Sequence, residues 1–559
     1  MGHAIYKKRW MRDDEKSPQE AIARASLAYC NGDYSFAQRM YEYASKGWLT
    51  FSSPIISNAP KEGESFKGLP ISCFLSYVPN SIKGLTGHTE EFCNLSVKGG
   101  GVAGHWSDIE DISDRAPGPI PFLHCLDSSV LAYSQGRTRR GAYAAYLDGS
   151  HPAIEEFINM RIPSGDLQRK SFNLHHAVGL PDKFMHAVRA GKPWNLIDPK
   201  TNKVKKTLDA NYLWEKILTA RERTGEPFHF FPDAANAALP DNLRLLGYEI
   251  HGSNLCTEIM LATGLKHTAV CCLMSVNAEF YDLWKNTRMV ADCIMFLDNV
   301  LQKFIDNAPP ELAYAIRGAS SERSLGLGLL GFHTYLQKQG IAIDSMEAYN
   351  VNSEMFKFIK RQAVESSEHL ATIRGEYPLG LGTGRRNAHL LAVAPNATTA
   401  PPVDVSFGIE PLLSNIYTQT GDLGKFERIN KYLKRDLKLE NMDTPLIWAG
   451  IAANGGSVQH LSRFSKREIY KTAMELDQRI LIRLAAGRQP HICQGQSLNL
   501  FFPPGSDRKY VNRCHMMAWE ERLKSVYYLR TESKKTADQI GLELKVTDPL
   551  VGDCDACSG

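Results

Sequence analysis

Hydrophobic positions along the chain follow two alternating periods. Short apolar runs bounded by turn formers recur as ISCFLSYV (71–78), AYAAYLD (142–148), HAVGL (176–180), AVCCLMSV (269–276) and HLLAVAP (389–395), and each reads as a strand. Between them lie longer stretches with apolar residues three and four apart: HPAIEEFINMRI (151–162), NYLWEKILTARERTG (211–225) and MVADCIMFLDNVLQKFID (289–306). These read as amphipathic helices. Strands alternating with helices predict an α/β protein built on a largely parallel sheet or barrel. Upstream, Ser17-Pro18-Gln19-Glu20 has the residue types of a capping box with proline at the first helical position, so residues 1–50 read as a short helical segment. Phe51-Ser52-Ser53-Pro54-Ile55-Ile56-Ser57-Asn58 reads as a short apolar strand opening the main body over 51–532. Residues 533–559 are polar and end in Cys554-Asp555-Ala556-Cys557, which reads as a flexible tail carrying a dithiol.

Composition narrows the class. The 559 residues suffice for a large core, and 43% hydrophobic with 23% charged residues is ordinary for a globular enzyme. A net charge of +4 leaves no electrostatic footprint for nucleic acid. No run reaches the eighteen apolar residues of a membrane span, and the N-terminus has no signal-peptide core. Twelve cysteines scattered along so long a chain fit a reducing, cytoplasmic setting, in which single thiols are buried, catalytic or redox-active.

The chemistry concentrates in Asn254-Leu255-Cys256-Thr257-Glu258-Ile259. In an extended or loop backbone, Asn254, Cys256 and Glu258 share a side, offering one substrate a carboxamide, a thiol and a general base. Taken alone, Cys256 reads rather as a small core hydrophobe. Cys73 and Cys271 sit in two strand-like runs, where they form either a redox couple or ordinary core. Cys272, adjacent to Cys271, cannot face the same site in a regular strand. The run Asn396-Ala397-Thr398-Thr399 offers hydroxyls and amides that suit phosphate at a helix N-terminus. Gly99-Gly100-Gly101 lets backbone approach a ligand closely. Either of these two runs reads as well as a tight turn. Cys554-x-x-Cys557 lacks the second ligand pair of a zinc site and fits a redox shuttle better, and no metal site is expected. Tyr527-Tyr528 is either strand packing or a redox pair.

In order along the chain, SSPIISNA, GLPISCFLS, GGGVAG, QGRTRRGAYAAYLDGSHPAIEEF, NLCTEI, AVCCLMSVN, RSLGLGLLGFHTYL, RRNAHLLAVAPNATTA, GIEPLLSNIY, VYYLRT and CDAC resemble the large, catalytic subunit of ribonucleotide reductase from about residue 45 to the end. The resemblance implies a ten-stranded α/β barrel of two five-stranded parallel halves, with Cys256 on a central finger loop. It implies that Cys256 becomes a thiyl radical, that Glu258 takes a ribose hydroxyl proton, and that Asn254 hydrogen-bonds the ribose. Cys73 and Cys271 would supply the reducing equivalents, with Cys271 preferred to Cys272. Cys554 and Cys557 would recharge them and be reduced in turn by a thioredoxin- or glutaredoxin-type protein. Ser53, Ser72, Gly101, Asn396, Ala397, Thr398 and Thr399 fall where the family binds substrate.

Subclass follows from the tyrosines. Tyr527 and Tyr528 match the relay that, in the oxygen-dependent class, carries a radical from a separate ferritin-like metal subunit, so no cofactor is expected to bind tightly in this chain. The runner-up is an adenosylcobalamin-dependent single chain, because SHPAIEEF and APNATTA share its flavour. Fifty residues ahead of the barrel leave no room for the family's N-terminal ATP cone. A nucleoside triphosphate effector is expected at a homodimer interface, with Asn80 and Arg139 at its site. Asn80, His105 and Glu110 depart from the residues the family more often has there. Two readings of other classes remain: a non-catalytic nucleotide-binding regulatory subunit, and a general thiol oxidoreductase centred on the tail.

Overall fold

The computed structural model describes residues 2–112, 116–133, 141–421 and 424–531, with the side chains of 419–421 and 424–426 left aside. Five strands, Cys73–Tyr77, Gly101–His105, Ala142–Asp148, His175–Gly179 and Phe228–Phe230, pair in chain order and in parallel. A second parallel set begins with Leu273–Asn277 beside Gly326–Leu330. It continues through the single-residue bridges Leu327–Leu391 and Val393–Gln496, and ends where Leu500–Phe501 pairs with Leu529–Arg530.

The two sets run in opposite senses and join at both edges. Ala269–Cys271 pairs antiparallel with Cys73–Leu75, and Ser525–Val526 pairs antiparallel with His229–Phe230. The result is a closed α/β barrel of two five-stranded parallel halves. In such a barrel every edge strand has a partner.

Several local readings needed correction. Residues 389–395, expected as a strand, complete the ring with 494–498 through isolated bridges rather than a regular ladder (Leu327 N to Leu390 O, 2.8 Å; Val393 N to Gly495 O, 3.1 Å). The apolar run expected as a strand at 51–58 splits: Leu49–Phe51 is extended, and Ser53–Asn58 is helical. Proline in the first turn after an extended Ser52 starts the helix there. HPAIEEFINMRI is helical only over Ile154–Ile158. At Ser17 the capping box is incomplete. Lys16 N and Ser17 Oγ donate to Glu20, but the Ser17 side chain caps no backbone N–H. The Asn396 run leads into a turn and a three-residue 3-10 helix, Pro401–Val403, so it heads no α-helix.

The N-terminal helices Pro18–Ala28 and Tyr34–Ser45 pack on the body of the molecule. Buried Arg24 donates to Ile56 O and Ala59 O, and Arg39 pairs with the fully buried Asp292. Among the described residues, no helix is long and apolar enough to cross a membrane.

Candidate active site

The segment from Gly252 to Thr263 is irregular yet buried throughout. Buried irregular backbone needs hydrogen-bond partners from elsewhere. Barrel strands supply them. Tyr146 Oη donates to Asn254 O (2.8 Å), Ser525 Oγ to Thr257 O (2.9 Å), Gly495 N to Glu258 O (2.7 Å), and Ser497 Oγ to Cys256 O. Ser253 Oγ closes the loop on itself at Ile259 O (2.7 Å). This finger links the last strand of the first half to the first strand of the second, so it passes through the space the barrel encloses.

Within the finger the backbone turns rather than extends. Thr257 N bonds Asn254 O at 3.3 Å, and Thr257 has φ of +63°. Strand alternation therefore does not bring Asn254, Cys256 and Glu258 together. A turn brings them together instead, and Asn254 Oδ1 stabilises it by accepting from Glu258 N (3.1 Å) and Ile259 N (3.2 Å). Its Nδ2 is left facing Cys73 Sγ at 4.0 Å.

Cys73 and Cys271 are direct cross-strand partners, both buried and neither in a disulfide. Directly opposed side chains lie on the same face of the sheet, about 4.5–5.5 Å apart at Cβ. Burial, then the hydrogen bond with Cys73, pushes the Cys271 thiol well above its ordinary range. Cys272 faces away into a separate core region, with its Sγ 3.5 Å from Leu297 O.

Glu258 is fully buried. Ser497 Oγ, whose single proton goes to Cys256 O, lies 3.2 Å from its Oε2, while Oε1 has no hydrogen-bond partner. Burial, and then Cys73, raises its carboxyl well above the usual range. A buried acceptor left open in this way is poised for a donor from a bound molecule. The remaining side of Cys256 is taken by Tyr527, whose Oη donates to Cys256 Sγ at 3.5 Å. Tyr528 follows, its ring centroid 4.3 Å from that of Tyr527.

The other expected residues lie elsewhere on the barrel. Gly101 pairs in register with Cys73, and its N–H donates to Ser72 O at 2.6 Å. Asn396, buried with φ of +63°, donates to Ser275 Oγ (2.9 Å) and Thr399 Oγ1 (3.1 Å), next to Ala397 and Thr398. Ser275 lies four residues beyond Cys271. Buried Ser53 stands in the first turn of its short helix. Asn80 stands three residues beyond the end of the Cys73–Tyr77 strand. It bonds Glu110, which Lys200 also holds at 2.6 Å. Arg139, Cys554 and Cys557 lie outside the described residues.

Sequence reading missed the residues that hold the finger, namely Tyr146, Gly495, Ser497 and Ser525. It also missed Arg221, a buried guanidinium that donates to Tyr527 O at 2.7 Å.

The comparisons agree with this architecture. The family model described as "Ribonucleotide reductase, barrel domain" matches residues 71–379 and 380–529. The large-subunit protein of Invertebrate iridescent virus 3, named a ribonucleoside-diphosphate reductase, is 40% identical over 621 residues, covering 100% of this chain and 98% of its own. A Frog virus 3 (isolate Goorha) protein, provisionally given the same large-subunit name, is 48% identical over 536 residues, covering 95% and 94%. Among solved structures, the "Actinobacillus ureae class Id ribonucleotide reductase alpha subunit" superposes with a TM-score of 0.85 at 32% identity, covering 97% of this chain and 98% of that one. The chain belongs to the ribonucleotide reductase family, as a large, catalytic-type subunit.

Proposed function

We propose that this chain is the catalytic subunit of a two-protein ribonucleoside-diphosphate reductase, with a radical delivered by a separate ferritin-like subunit. The observation that carries the reading is the placement of Cys256 on a finger that meets two different redox groups. Tyr527 Oη lies 3.5 Å from its Sγ, and the finger's Asn254 faces Cys73 of the Cys73/Cys271 pair at 4.0 Å.

Each group then has a task. A phenoxyl radical at Tyr527 takes a hydrogen atom from Cys256, leaving a thiyl radical. The thiyl takes the 3′ hydrogen of the ribose, and Glu258, when ionised, accepts the 3′-hydroxyl proton. The 2′-hydroxyl leaves as water, taking a proton from the thiol pair. Cys73 and Cys271 together supply two electrons and end as a disulfide, and Cys256 returns the 3′ hydrogen. The tail dithiol Cys554/Cys557 reduces that disulfide and is recharged by a thioredoxin- or glutaredoxin-type protein. The Ser53, Ser72, Gly101 and 396–399 backbones and hydroxyls hold substrate phosphates and ribose. Asn80 and Arg139 contact a nucleoside triphosphate effector at a homodimer interface, in a cytoplasmic enzyme.

The adjacent Tyr527–Tyr528 pair, with ring centroids 4.3 Å apart and planes tilted by 54°, favours an external radical source over adenosylcobalamin, which forms its radical beside the thiol and needs no relay. The test is CDP-to-dCDP conversion by the full chain, with and without a ferritin-like partner. Turnover that requires the partner is the expected result. Turnover with adenosylcobalamin alone would replace this reading with the single-chain one.

A further inference from the structure

Tyr528 has a neighbour that the relay itself does not call for. His175, first residue of its strand, places Nδ1 3.2 Å from Tyr528 Oη and 2.7 Å from Glu226 Oε1. The carboxylate is only 1% exposed and is heavily held. His176 donates its backbone N–H to Oε2 (3.0 Å), His176 Nδ1 lies at 3.0 Å, and Arg161 Nε stands 3.6 Å away. Burial opposes the charge of Glu226, but Arg161 and His175 keep its carboxyl well below the ordinary range. An ionised carboxylate only accepts, so the 2.7 Å contact puts the proton on His175 Nδ1. That same N–H is shared with Tyr528, whose oxygen therefore accepts from the imidazole. Arg530 covers the other side, its guanidinium 4.3 Å from the Tyr528 ring centroid, and Phe228 stacks on His175 at 6.1 Å.

We infer that His175, oriented by Glu226, is a positioning residue for Tyr528 in the radical relay, donating a hydrogen bond to the phenolic oxygen before and after oxidation. The inference rests on the relay proposed above. Its physical content is a matter of sign. A phenol that donated to its neighbour would lose that bond when it lost its proton. A phenol that accepts keeps the bond as a phenoxyl. In the step toward the thiol, the Tyr528 phenoxyl takes one electron and one proton from Tyr527, which becomes the phenoxyl. The Nδ1 proton stays on His175 throughout. Because Glu226 fixes the imidazole beforehand, the step needs no rearrangement at this end of the pair.

The test uses the full chain with its radical-generating partner and substrate. An aminotyrosine at position 528 traps the radical there, and high-field electron–nuclear double resonance reads its surroundings. With isotope-labelled histidine, the 528 radical is expected to show coupling to the imidazole nitrogen and to one exchangeable deuteron. His175→Phe is expected to lower kcat about tenfold, as for loss of one hydrogen bond in the transition state, with KM unchanged. His175→Gln, which keeps an N–H donor, is expected to recover part of that loss. Absence of the nitrogen coupling in the chain with His175 intact overturns the inference, whether or not the Phe variant folds. So does a His175→Phe enzyme with unchanged kcat. Tyr528→Phe separates the two levels. If it turns over normally, the relay reading fails. If it is dead while His175→Phe matches the parent, only the role of His175 fails.

Discussion

Gly495 is where a single methyl group tests whether the barrel wall sets the position of the finger. A Cβ built on Gly495 would lie 2.9 Å from Thr257 O, 3.0 Å from Met260 Cε and 3.1 Å from Glu258 O. The methionine end can swing aside, but the two carbonyls belong to consecutive peptides of the finger backbone. Ordinary contact begins near 3.4 Å, so relief requires the finger to retreat by roughly half an ångström at its tightest point. The same retreat stretches the 2.7 Å bond from Gly495 N to Glu258 O. Overpacking of this kind costs about 1–3 kcal/mol. In Gly495→Ala we expect a fall of a few degrees in the apparent melting temperature, followed by circular dichroism. The kinetic effect should be larger than the stability effect suggests. A displacement of 1 Å costs about a hundredfold in rate, so half of that predicts about a tenfold loss of kcat. Steady-state reduction of CDP and calorimetric nucleotide binding together report the result. Unchanged kcat with an intact fold would show that the contacts from Tyr146, Ser497 and Ser525 position the finger without Gly495. A loss of nucleotide binding equal to the loss of kcat would show general damage instead.

Four further outcomes are expected. Cys256→Ser should abolish turnover while circular dichroism and nucleotide affinity stay at parental values, because the side chain is nearly isosteric. Tyr527→Phe should do the same through loss of the 3.5 Å contact to Cys256 Sγ, and retained activity would return Tyr527 to a packing role. For Glu258 the sign is set by burial. Its folded-state value lies well above the ordinary 4.5, so its contribution to stability is full below that value and is lost as pH rises through the folded one. Glu258→Gln should remove this part of the fall in melting temperature with rising pH, and should also remove the acid limb of the kcat/KM profile, which in the parent lies above the usual glutamate range. Finally, a single turnover without external reductant should leave a disulfide between Cys73 and Cys271, mapped by peptide mass spectrometry. A Cys272 linkage would contradict the opposed orientations of the two neighbouring thiols.

Much of this was legible one residue at a time. The alternation of apolar runs and amphipathic stretches placed Cys73–Tyr77, Ala142–Asp148, Ala210–Thr224 and Met289–Asn307 within a residue or two, because period and burial are coupled wherever an element has one core-facing side. The trio in the 254–259 hexapeptide stood out on chemistry alone. Its geometry did not. The stretch is held in shape by Asn254's own carboxamide and by Tyr146, Gly495, Ser497 and Ser525, partners up to 268 residues away in sequence. A single chain carries no local signal for such contacts, since each of these residues is unremarkable in its own segment.

The sequence by itself determined the inventory: which thiols, carboxylate, carboxamide and phenols are available, and the strand and helix periods that build a barrel around them. Only the tertiary structure decided their pairing. Cys73 meets Cys271 because two strands from different halves run antiparallel in one register, and a shift of one residue would have put Cys272 there instead. Tyr527 meets Cys256 because the ring closes at Ser525–Val526 and brings the chain's last described strands against the finger. His175 and Glu226 joined the picture for the same reason. Neighbouring parallel strands set side by side what fifty residues of chain keep apart.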